Sequence, residues 1–267
     1  MTDRFVVLTG ASGGIGKCLA KRLIAQHYRV LGIARDASRL QAVADELGEN
    51  FEPCAFDVSD RVAWQALASR LSAAGQAVDM LICGAGVLPP FAAASTVSSA
   101  AVEQTLRINF LSAVYAVEAL KAPLLAAAKP MVAVIASAGG IAPLIGTSAY
   151  AASKAAMIAY FSALREEWRG RVQVTLLCPG FVKTDIFRSQ RHVAGSEKLL
   201  NAIAADADRI AGRMLQAIRC GRGYKVLGVD GHLLSIGMRL CPTLTLRLCR
   251  YIIKASNLPL FADIWAD

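Results

Sequence analysis

Short apolar runs alternate with longer amphipathic segments along nearly the whole chain. The runs suit buried strands and lie near residues 4–9, 29–34, 52–57, 79–83, 131–136, 172–178 and 224–229. The segments between them predict amphipathic helices that fill the intervals. Such alternation predicts a single α/β domain, a parallel, doubly wound sheet of about seven strands with helices on both faces. The ligand of such a sheet binds at the carboxyl ends of the strands.

A glycine-rich turn, Thr9-Gly-Ala-Ser-Gly-Gly-Ile-Gly16, joins the first predicted strand to the first predicted helix. In this context the glycines permit a tight turn and close backbone approach to a pyrophosphate, which the helix N-terminus then faces. A glycine-rich turn alone is weak evidence. Its position directly after the first strand predicts a Rossmann-type, dinucleotide-binding fold.

Tyr150 and Lys154 lie four positions apart in a predicted helix, thirteen residues after Ser137. Positions i and i+4 of a helix share a face, so the phenol and the ammonium would lie side by side. A cation there stabilises the phenolate and lowers a phenol pKa that is about 10 when unperturbed. We therefore expect Tyr150 to exchange a proton with a carbonyl or alcohol oxygen near neutral pH.

From about residue 4 to about residue 229 the chain resembles the short-chain dehydrogenase/reductase family. The matching segments follow the family's order, and they are the glycine turn, Asp57-Val58, Asn109, Ser137, the Tyr150/Lys154 pair, Pro179-Gly180 and Thr184. The resemblance implies an oxidoreductase that moves a hydride between a nicotinamide and a carbonyl or secondary alcohol. Residues 1–231 would form the dinucleotide-binding catalytic domain, and residues 232–267 a C-terminal helical extension of the same domain.

The resemblance implies a catalytic role for each of four residues. Tyr150 would supply the proton, Ser137 would orient the carbonyl, and Lys154 would lower the pKa of Tyr150 and bind the cofactor ribose. Asn109 would hold a water that passes protons onward from Lys154. A turn-initiating hydroxyl stays the alternative for Ser137, and a packing amide the alternative for Asn109. Cofactor contacts are expected from Gly10, Ser12, Gly14, Ile15, Gly16, Arg35, Asp57, Val58, Gly84, Ala85, Gly86, Tyr150, Lys154, Pro179, Gly180, Val182 and Thr184.

The end of the second predicted strand favours NADP(H) as the cofactor. Ala34 stands where an NAD-preferring relative carries an acidic residue for the ribose hydroxyls. The guanidinium of Arg35 suits the geometry of a 2′-phosphate. Gly13 stands where NADP-using relatives often carry a basic residue, and Asp36 offers a carboxylate to a ribose. Arg35 as an ordinary solvated side chain is the alternative.

The fourth predicted strand departs from the family pattern. Cys83-Gly84-Ala85-Gly86 stands where the family commonly has Asn-Asn-Ala-Gly. The backbone of Gly84, Ala85 and Gly86 can still approach the cofactor, but the side-chain hydrogen bonds that brace the central sheet are missing. We expect an effect on local stability more than on the chemistry.

Apolar residues near Ser137 and Gly180 favour a hydrophobic ketone or alcohol as the substrate. Substrate contacts are expected from Ser137, Leu144, Tyr150, Phe181 and Phe187. The segment 228–242 resembles the 3-ketodihydrosphingosine reductases of the family, which reduce a long-chain lipid ketone in sphingolipid metabolism. A 3-oxoacyl-carrier-protein reductase and a hydroxysteroid dehydrogenase stay alternatives. A non-catalytic NADP-binding regulatory or scaffold protein is the alternative from another class.

The C-terminal tail predicts a basic amphipathic helix that begins at Pro242. Basic residues lie on one side of it, and Leu244, Leu248, Tyr251 and Ile252 occupy much of the other. Two alternatives stay open for the apolar side. It packs on the enzyme's own substrate pocket or on a partner subunit, or it rests on anionic lipid as a peripheral membrane contact.

Composition fits one folded cytoplasmic domain. The 267 residues are 55% hydrophobic and 18% charged, which excludes a disordered chain, and the net charge is +9. Seven cysteines without ligand-like spacing predict reduced thiols and no metal site. The first strand begins by residue 4, so we expect no signal peptide, and no uninterrupted apolar run has the length of a membrane span. We expect no nucleic-acid partner, and the resemblance implies a homodimer or homotetramer.

Overall fold

The computed structural model describes residues 4–184, 186, 190 and 204–265. Its strands are β1 (Arg4–Thr9), β2 (Tyr28–Ala34), β3 (Phe51–Ala55), β4 (Met80–Cys83), β5 (Met131–Ile135), β6 (Gln173–Pro179) and β7 (Tyr224–Leu227). They form one sheet of seven strands in the order β3-β2-β1-β4-β5-β6-β7, and every pairing is parallel. The predicted doubly wound α/β fold is therefore confirmed.

The described helices fill the intervals between the strands and continue beyond the last one. They are α1 (Gly14–Ile24), α2 (Ala37–Leu47), α3 (Arg61–Ala73), α4 (Ser99–Leu106), α5 (Ser112–Leu125), α6 (Ser148–Glu167), α7 (Ala207–Arg219), α8 (Val229–Leu240) and α9 (Pro242–Ser256). Several begin at an aspartate that accepts a backbone hydrogen bond from the first turn, as Asp36 does for α2 and Asp60 for α3. This is the ordinary role of an aspartate at a helix N-terminus.

The core lies on both faces of the sheet, because successive side chains of a strand point to opposite faces. Phe5 and Val7 of β1 pack in one cluster with the apolar sides of α3, α5 and α6. Val6 and Leu8 pack in the other cluster with α1, α2 and α7. The order of strands reverses at β1 and β4, so the carboxyl ends of these two strands form the crevice in which such folds bind ligands.

The predicted long helix that carries Asn109 is interrupted. A π-helical turn over Arg107–Leu111 separates α4 from α5, and Asn109 lies in that turn, fully buried. One-turn π bulges are rare in helices and frequent at functional sites. A smaller difference from the predicted boundaries concerns the third strand. β3 ends at Ala55, so Asp57-Val58 follows the strand and does not close it.

One helical stretch among the described residues, Ser99–Leu125, is long and apolar enough to cross a membrane by length and composition alone. Its mean hydropathy is high although charged residues interrupt it. Its side chains Ala116, Leu120 and Leu124 are buried against the sheet, and half of its most apolar stretch lies buried inside the protein. Packing in the core of the domain accounts for this composition.

Beyond β7 the tail forms two consecutive helices, α8 and α9, with the turn at Cys241-Pro242. The helices approach closely, since a Cβ added to Gly237 would lie 2.6 Å from Oγ1 of Thr245. The predicted helix beginning at Pro242 is present, with the proline in its first turn. A 3₁₀ turn over Pro259–Ile264 then brings the chain back to the domain.

Candidate active site

The glycine turn forms a tight cradle at the carboxyl ends of β1 and β4. Gly10 has a φ of +73°, and a Cβ on it would lie 2.8 Å from the carbonyl oxygen of Gly84. A Cβ on Gly16 would lie 2.1 Å from the carbonyl oxygen of Gly10. No larger side chain fits either position. The turn thus presents bare backbone at the N-terminus of α1, which fits the pyrophosphate of a dinucleotide.

Thr9 braces the two central strands where the family's asparagines are absent. Its Oγ1 accepts hydrogen bonds from the backbone N–H of Gly84 at 3.0 Å and of Ala85 at 3.1 Å. Cys83 is buried beside this brace, and burial raises the pKa of its thiol to about 12. Where the family pattern is absent at Cys83-Gly84, a side chain of β1 therefore supplies the hydrogen bonds between the two strands.

Three residues after β2 define the surface where an adenosine ribose would lie. Arg35 is exposed directly after the strand. The carboxylate of Asp36 caps α2 by accepting a hydrogen bond from the backbone N–H of Arg39 at 2.9 Å, so it is engaged as a helix cap. Arg39 reaches back to the glycine turn, where its guanidinium donates to the carbonyl of Ser12 at 3.5 Å. Arg39 is a second cation at this surface, and the sequence did not single it out.

The remaining cofactor candidates lie around the same crevice. Asp57 accepts hydrogen bonds from the N–H and hydroxyl of Ser59, at 2.9 and 2.8 Å, which fixes the turn after β3, and Val58 is buried below it. Across the crevice, Thr184 stands against the glycine turn, because a Cβ on Gly14 would lie 3.0 Å from its Cγ2. Val182 pairs with Ala205 in an isolated bridge.

Ser137 and Tyr150 face each other across the turn that follows β5. A Cβ on Gly139 would lie 3.4 Å from both Oγ of Ser137 and Cε1 of Tyr150. Oγ of Ser137 accepts a hydrogen bond from the N–H of Gly139 at 3.1 Å, so its turn-initiating role is present as well. Burial raises the pKa of Tyr150, and hydrogen bonding to Ser137 opposes that rise. The two hydroxyls can therefore bind one substrate oxygen together.

Lys154 is buried on the same helix, with 4% of its surface exposed. Its Nζ donates to the carbonyl oxygen of Ile135 at 2.8 Å and lies 5.9 Å from the ring centre of Tyr150. Burial lowers the pKa of the Lys154 ammonium to about 8. The pKa of Tyr150 was expected to be lowered by this cation, but burial raises it, and Lys154 donates a hydrogen bond to the backbone carbonyl of Ile135.

Asn109 binds the loop after β4 to the helix that carries Tyr150. Its Oδ1 accepts from the N–H of Val87 at 2.7 Å, and its Nδ2 donates to the carbonyl of Val87 and to Oγ of Ser153, both at 2.9 Å. Ser153 in turn donates to the carbonyl of Tyr150 at 2.7 Å. The side-chain amide of Asn109 is thus engaged by protein groups. A Cβ on Gly86 would lie 3.3 Å from its Oδ1 and 3.5 Å from Nζ of Lys154.

An apolar cluster contributed partly by the tail lies beside Tyr150. Leu88, Phe91 and Leu260 are buried in it, and the side chains packed against them are Tyr150, Ile186, Leu258, Phe261 and Ile264. The rings of Phe91 and Phe261 lie 5.2 Å apart, and a Cβ on Gly146 would lie 2.5 Å from Cδ1 of Ile264. Sequence reasoning missed this cluster, because its members are up to 176 positions apart in the chain.

Of the remaining expected substrate residues, the structure describes Leu144 and Phe181. Leu144 lies in the turn before α6, where its carbonyl accepts from the N–H and hydroxyl of Thr147. Phe181 follows Pro179-Gly180 at the end of β6, and its N–H donates to Oδ2 of Asp230 at 2.6 Å. Asp230 belongs to the first turn of α8, so the tail is tied directly to this loop. Phe187 lies outside the described residues.

Comparisons with known proteins agree with this geometry. The family model described as short chain dehydrogenase matches residues 4–194. The NADP-dependent 3-hydroxy acid dehydrogenase YdfG of Salmonella typhi is 31% identical over 194 residues, 72% of this chain and 78% of that protein. The 11-beta-hydroxysteroid dehydrogenase-like 2 of Arabidopsis thaliana is 28% identical over 276 residues, 98% of this chain and 85% of that protein.

A crystal structure of an oxidoreductase of the short chain dehydrogenase/reductase family from Burkholderia thailandensis has a TM-score of 0.77 to this chain. It is 31% identical, and the match covers 91% of this chain and 98% of that one. The tail lies outside the stretch matched by the family model, since α8, α9 and the turn over Pro259–Ile264 all follow it.

Proposed function

Because the chain belongs to the short chain dehydrogenase family and is an NADP(H)-dependent oxidoreductase of that family, we propose that it reduces a hydrophobic ketone to a secondary alcohol. NADPH, when bound, supplies the hydride that adds to the carbonyl carbon. The glycine cradle, with its positions closed to any Cβ, fits the pyrophosphate of this cofactor, and Arg35 and Arg39 are the proposed partners of its 2′-phosphate.

Tyr150 and Ser137 act on the oxygen of the substrate. The phenol of Tyr150 keeps its proton at neutral pH, because burial raises its pKa, and donates it to the carbonyl oxygen as that oxygen becomes negative. The hydroxyl of Ser137 donates a second hydrogen bond to the same oxygen and holds the carbonyl in line. In the oxidative direction the proton transfer and the hydride transfer both reverse.

Lys154 and Asn109 support the proton donor. The buried ammonium of Lys154 provides positive charge beside the reacting oxygen and a donor toward the cofactor ribose. Because the side-chain amide of Asn109 is engaged with Val87 and Ser153, we propose that any water relay from Lys154 uses the backbone carbonyl of Asn109. The π turn around Asn109 supports this role, since such turns disturb the regular backbone bonding of a helix.

The observation that carries the substrate proposal is the apolar cluster beside Tyr150. A small charged acid would gain nothing from the partly buried apolar side chains at the edge of this cluster, Ile186, Phe261 and Ile264, whereas an alkyl chain or fused ring would bury apolar surface against them. A long-chain lipid ketone such as 3-ketodihydrosphingosine fits this surface, and so does a steroid ketone. The relative named for a hydroxysteroid dehydrogenase aligns with 98% of this chain, tail included.

A 3-hydroxy acid is the second candidate substrate, and the 31% identical relative named as a 3-hydroxy acid dehydrogenase favours it. That relative aligns with 72% of this chain, so the likeness says nothing about the rest of the chain. The two candidates differ in what they ask of the site, since a hydroxy acid needs a partner for its carboxylate and a lipid ketone does not.

A substrate panel tests the proposal. NADPH oxidation is followed with long-chain 3-keto bases, steroid ketones and 3-oxoacyl thioesters, and NADP⁺ reduction with 3-hydroxy acids and serine. We expect kcat/KM to rise with the apolar surface of the ketone. A preference for 3-hydroxy acids would overturn the hydrophobic substrate, and no turnover with any member would favour a non-catalytic NADP-binding protein. The cytoplasmic location and the homodimeric or homotetrameric state are further proposals, made from the family resemblance.

A further inference from the structure

The two tail helices present an apolar face that nothing in the described protein covers. Four side chains on α8 and four on α9 are each more than half exposed, namely Val229, Leu233, Ile236 and Leu240, and Leu244, Leu248, Tyr251 and Ile252. We call these eight residues the tail face. In each helix they recur at three- and four-residue spacing, so each set forms one stripe. Exposed apolar surface of this extent is rare on a monomer and marks a binding surface.

Basic residues surround the tail face. Arg239, Arg247, Arg250 and Lys254 are exposed on the same two helices. The described tail after β7 contains two carboxylates, and Asp230 is turned inward to the N–H of Phe181. Apolar side chains edged by arginine and lysine are the pattern of a helix that lies in the surface of an anionic membrane.

A basic cavity lies at the base of α8. It is lined by Arg213 and Gln216 of α7, by Arg222 and Lys225 around the start of β7, and by His232, with an accessible volume of about 200 Å³. The side chains that line it include no carboxylate. His232 belongs to the same helix as Val229 and Leu233, so the cavity adjoins the tail face. This volume and charge suit a phosphate group.

From these two features we propose that the tail face and the basic cavity together form a docking surface for anionic phospholipid. The apolar side chains enter the outer part of the bilayer, and the cavity takes a lipid phosphate. The inference deepens the proposed function, because the tail that forms this surface continues into Leu260 and Ile264 beside Tyr150. A ketone dissolved in the membrane would then reach the site without crossing water.

A second copy of the chain is the main alternative occupant. Charge argues against it, because two copies of this face would bring their arginines together, and like charges across an interface oppose association. An anionic lipid surface complements the same charges, in a protein whose net charge is +9.

Cosedimentation with vesicles tests the docking surface. The full-length protein is mixed at low salt with vesicles of phosphatidylcholine alone or of phosphatidylcholine with phosphatidylglycerol. We expect binding to the anionic vesicles, at least ~10-fold weaker binding to the neutral ones, and weakening by added salt. Absence of binding to the anionic vesicles would overturn the proposal.

Two double variants and one matched control locate the surface. Leu233→Gln with Leu248→Gln removes apolar contact, and Arg222→Gln with Lys225→Gln removes charge from the cavity. We expect each to weaken binding to anionic vesicles by ~10-fold or more. Lys129→Gln with Arg171→Gln removes the same charge from exposed positions at the amino ends of β5 and β6, and should bind like the wild type. Equal binding by all three would count against the docking surface.

Two further measurements separate the alternatives. Analytical ultracentrifugation without lipid follows the oligomeric state, and a tail face that holds two copies together in the wild type but not in Leu233→Gln with Leu248→Gln would overturn the lipid assignment. Activity on a small soluble ketone without vesicles reports the proposed reaction and the folding of each variant. That activity should be the same in all variants, so loss of membrane binding and failure of the proposed function give different results.

Discussion

Nζ of Lys154 donates a hydrogen bond to the backbone carbonyl oxygen of Ile135 at 2.8 Å, in a buried position at the end of β5. This bond fixes the ammonium beneath the crevice instead of against the phenol of Tyr150. The charge of Lys154 is retained at neutral pH, yet burial lowers the pKa of the group to about 8. The charge beside the reacting oxygen therefore changes within an accessible pH range.

The first prediction follows from this pKa. Below pH 8 the ammonium of Lys154 is protonated and stabilises the developing negative oxygen, and above pH 8 it loses its proton. We expect kcat/KM for ketone reduction to fall as the pH rises through about 8. This quantity is chosen because its pH dependence reports the pKa values of groups in the free enzyme. Lys154→Arg keeps its charge in this range and should lose the inflection. A flat wild-type profile between pH 7 and about 9.5 would contradict this account.

The second prediction concerns the proton donor. Tyr150→Phe removes the hydroxyl and leaves the ring in its place, so NADPH should bind with nearly unchanged affinity. Turnover should fall by about 10² to 10⁴, the range typical of general acid–base groups. Stopped-flow NADPH oxidation and fluorescence titration measure the two quantities. Tyr160→Phe, a partly exposed position on the same helix, is the control and should retain full turnover. The assignment fails if both variants behave alike.

The third prediction concerns the choice of cofactor. Ala34→Asp with Arg35→Ala places a carboxylate against the 2′-phosphate and removes one cation, so the preference for NADPH over NADH should invert. Arg39→Ala should weaken NADPH binding more than NADH binding, because Arg39 reaches the glycine turn at Ser12. Calorimetric dissociation constants for both cofactors test this. An unchanged ratio in both variants would place the discriminating residues elsewhere.

The fourth prediction concerns stability. Asn109→Ala removes all three hydrogen bonds of the buried amide and leaves the N–H and carbonyl of Val87 without partners. The free energy of unfolding should fall by about 2 to 3 kcal/mol, since an unpaired buried polar group costs about 1 to 3 kcal/mol. Urea unfolding provides the measurement. Asn50→Ala, at an exposed position, should change stability by less than about 0.5 kcal/mol. A matching small effect at Asn109 would show that the amide is dispensable.

Local patterns made the sheet and the cofactor turn predictable. The steric demand at Gly16 arises within the turn itself, and the strands are short apolar runs whose parallel pairing follows from the intervening helices. The Tyr150/Lys154 spacing likewise depends only on helix geometry. The residues of the predicted site that the structure describes lie around one crevice, but their catalytic roles are still to be tested.

Contacts between distant segments were not predictable. Asn109 lies in a π turn and its side chain bonds to the loop at Val87, and nothing in the local sequence distinguishes this turn from regular helix. The packing of Ile264 against Gly146 joins the 3₁₀ turn over Pro259–Ile264 to the segment just before α6. The lowering of the Tyr150 pKa by Lys154 was expected from spacing alone, and the carbonyl of Ile135 competes for that ammonium.

The hydrogen bond from the N–H of Phe181 to Asp230 bears on how this protein can be cut or recombined. Asp230 lies three residues beyond the end of β7, yet its carboxylate holds the loop that follows β6. A deletion that starts at Val229 would therefore release a loop of the catalytic domain along with the tail. In chimeras that exchange substrate range between relatives, the junction belongs after Gly231, so that the host keeps its own Asp230.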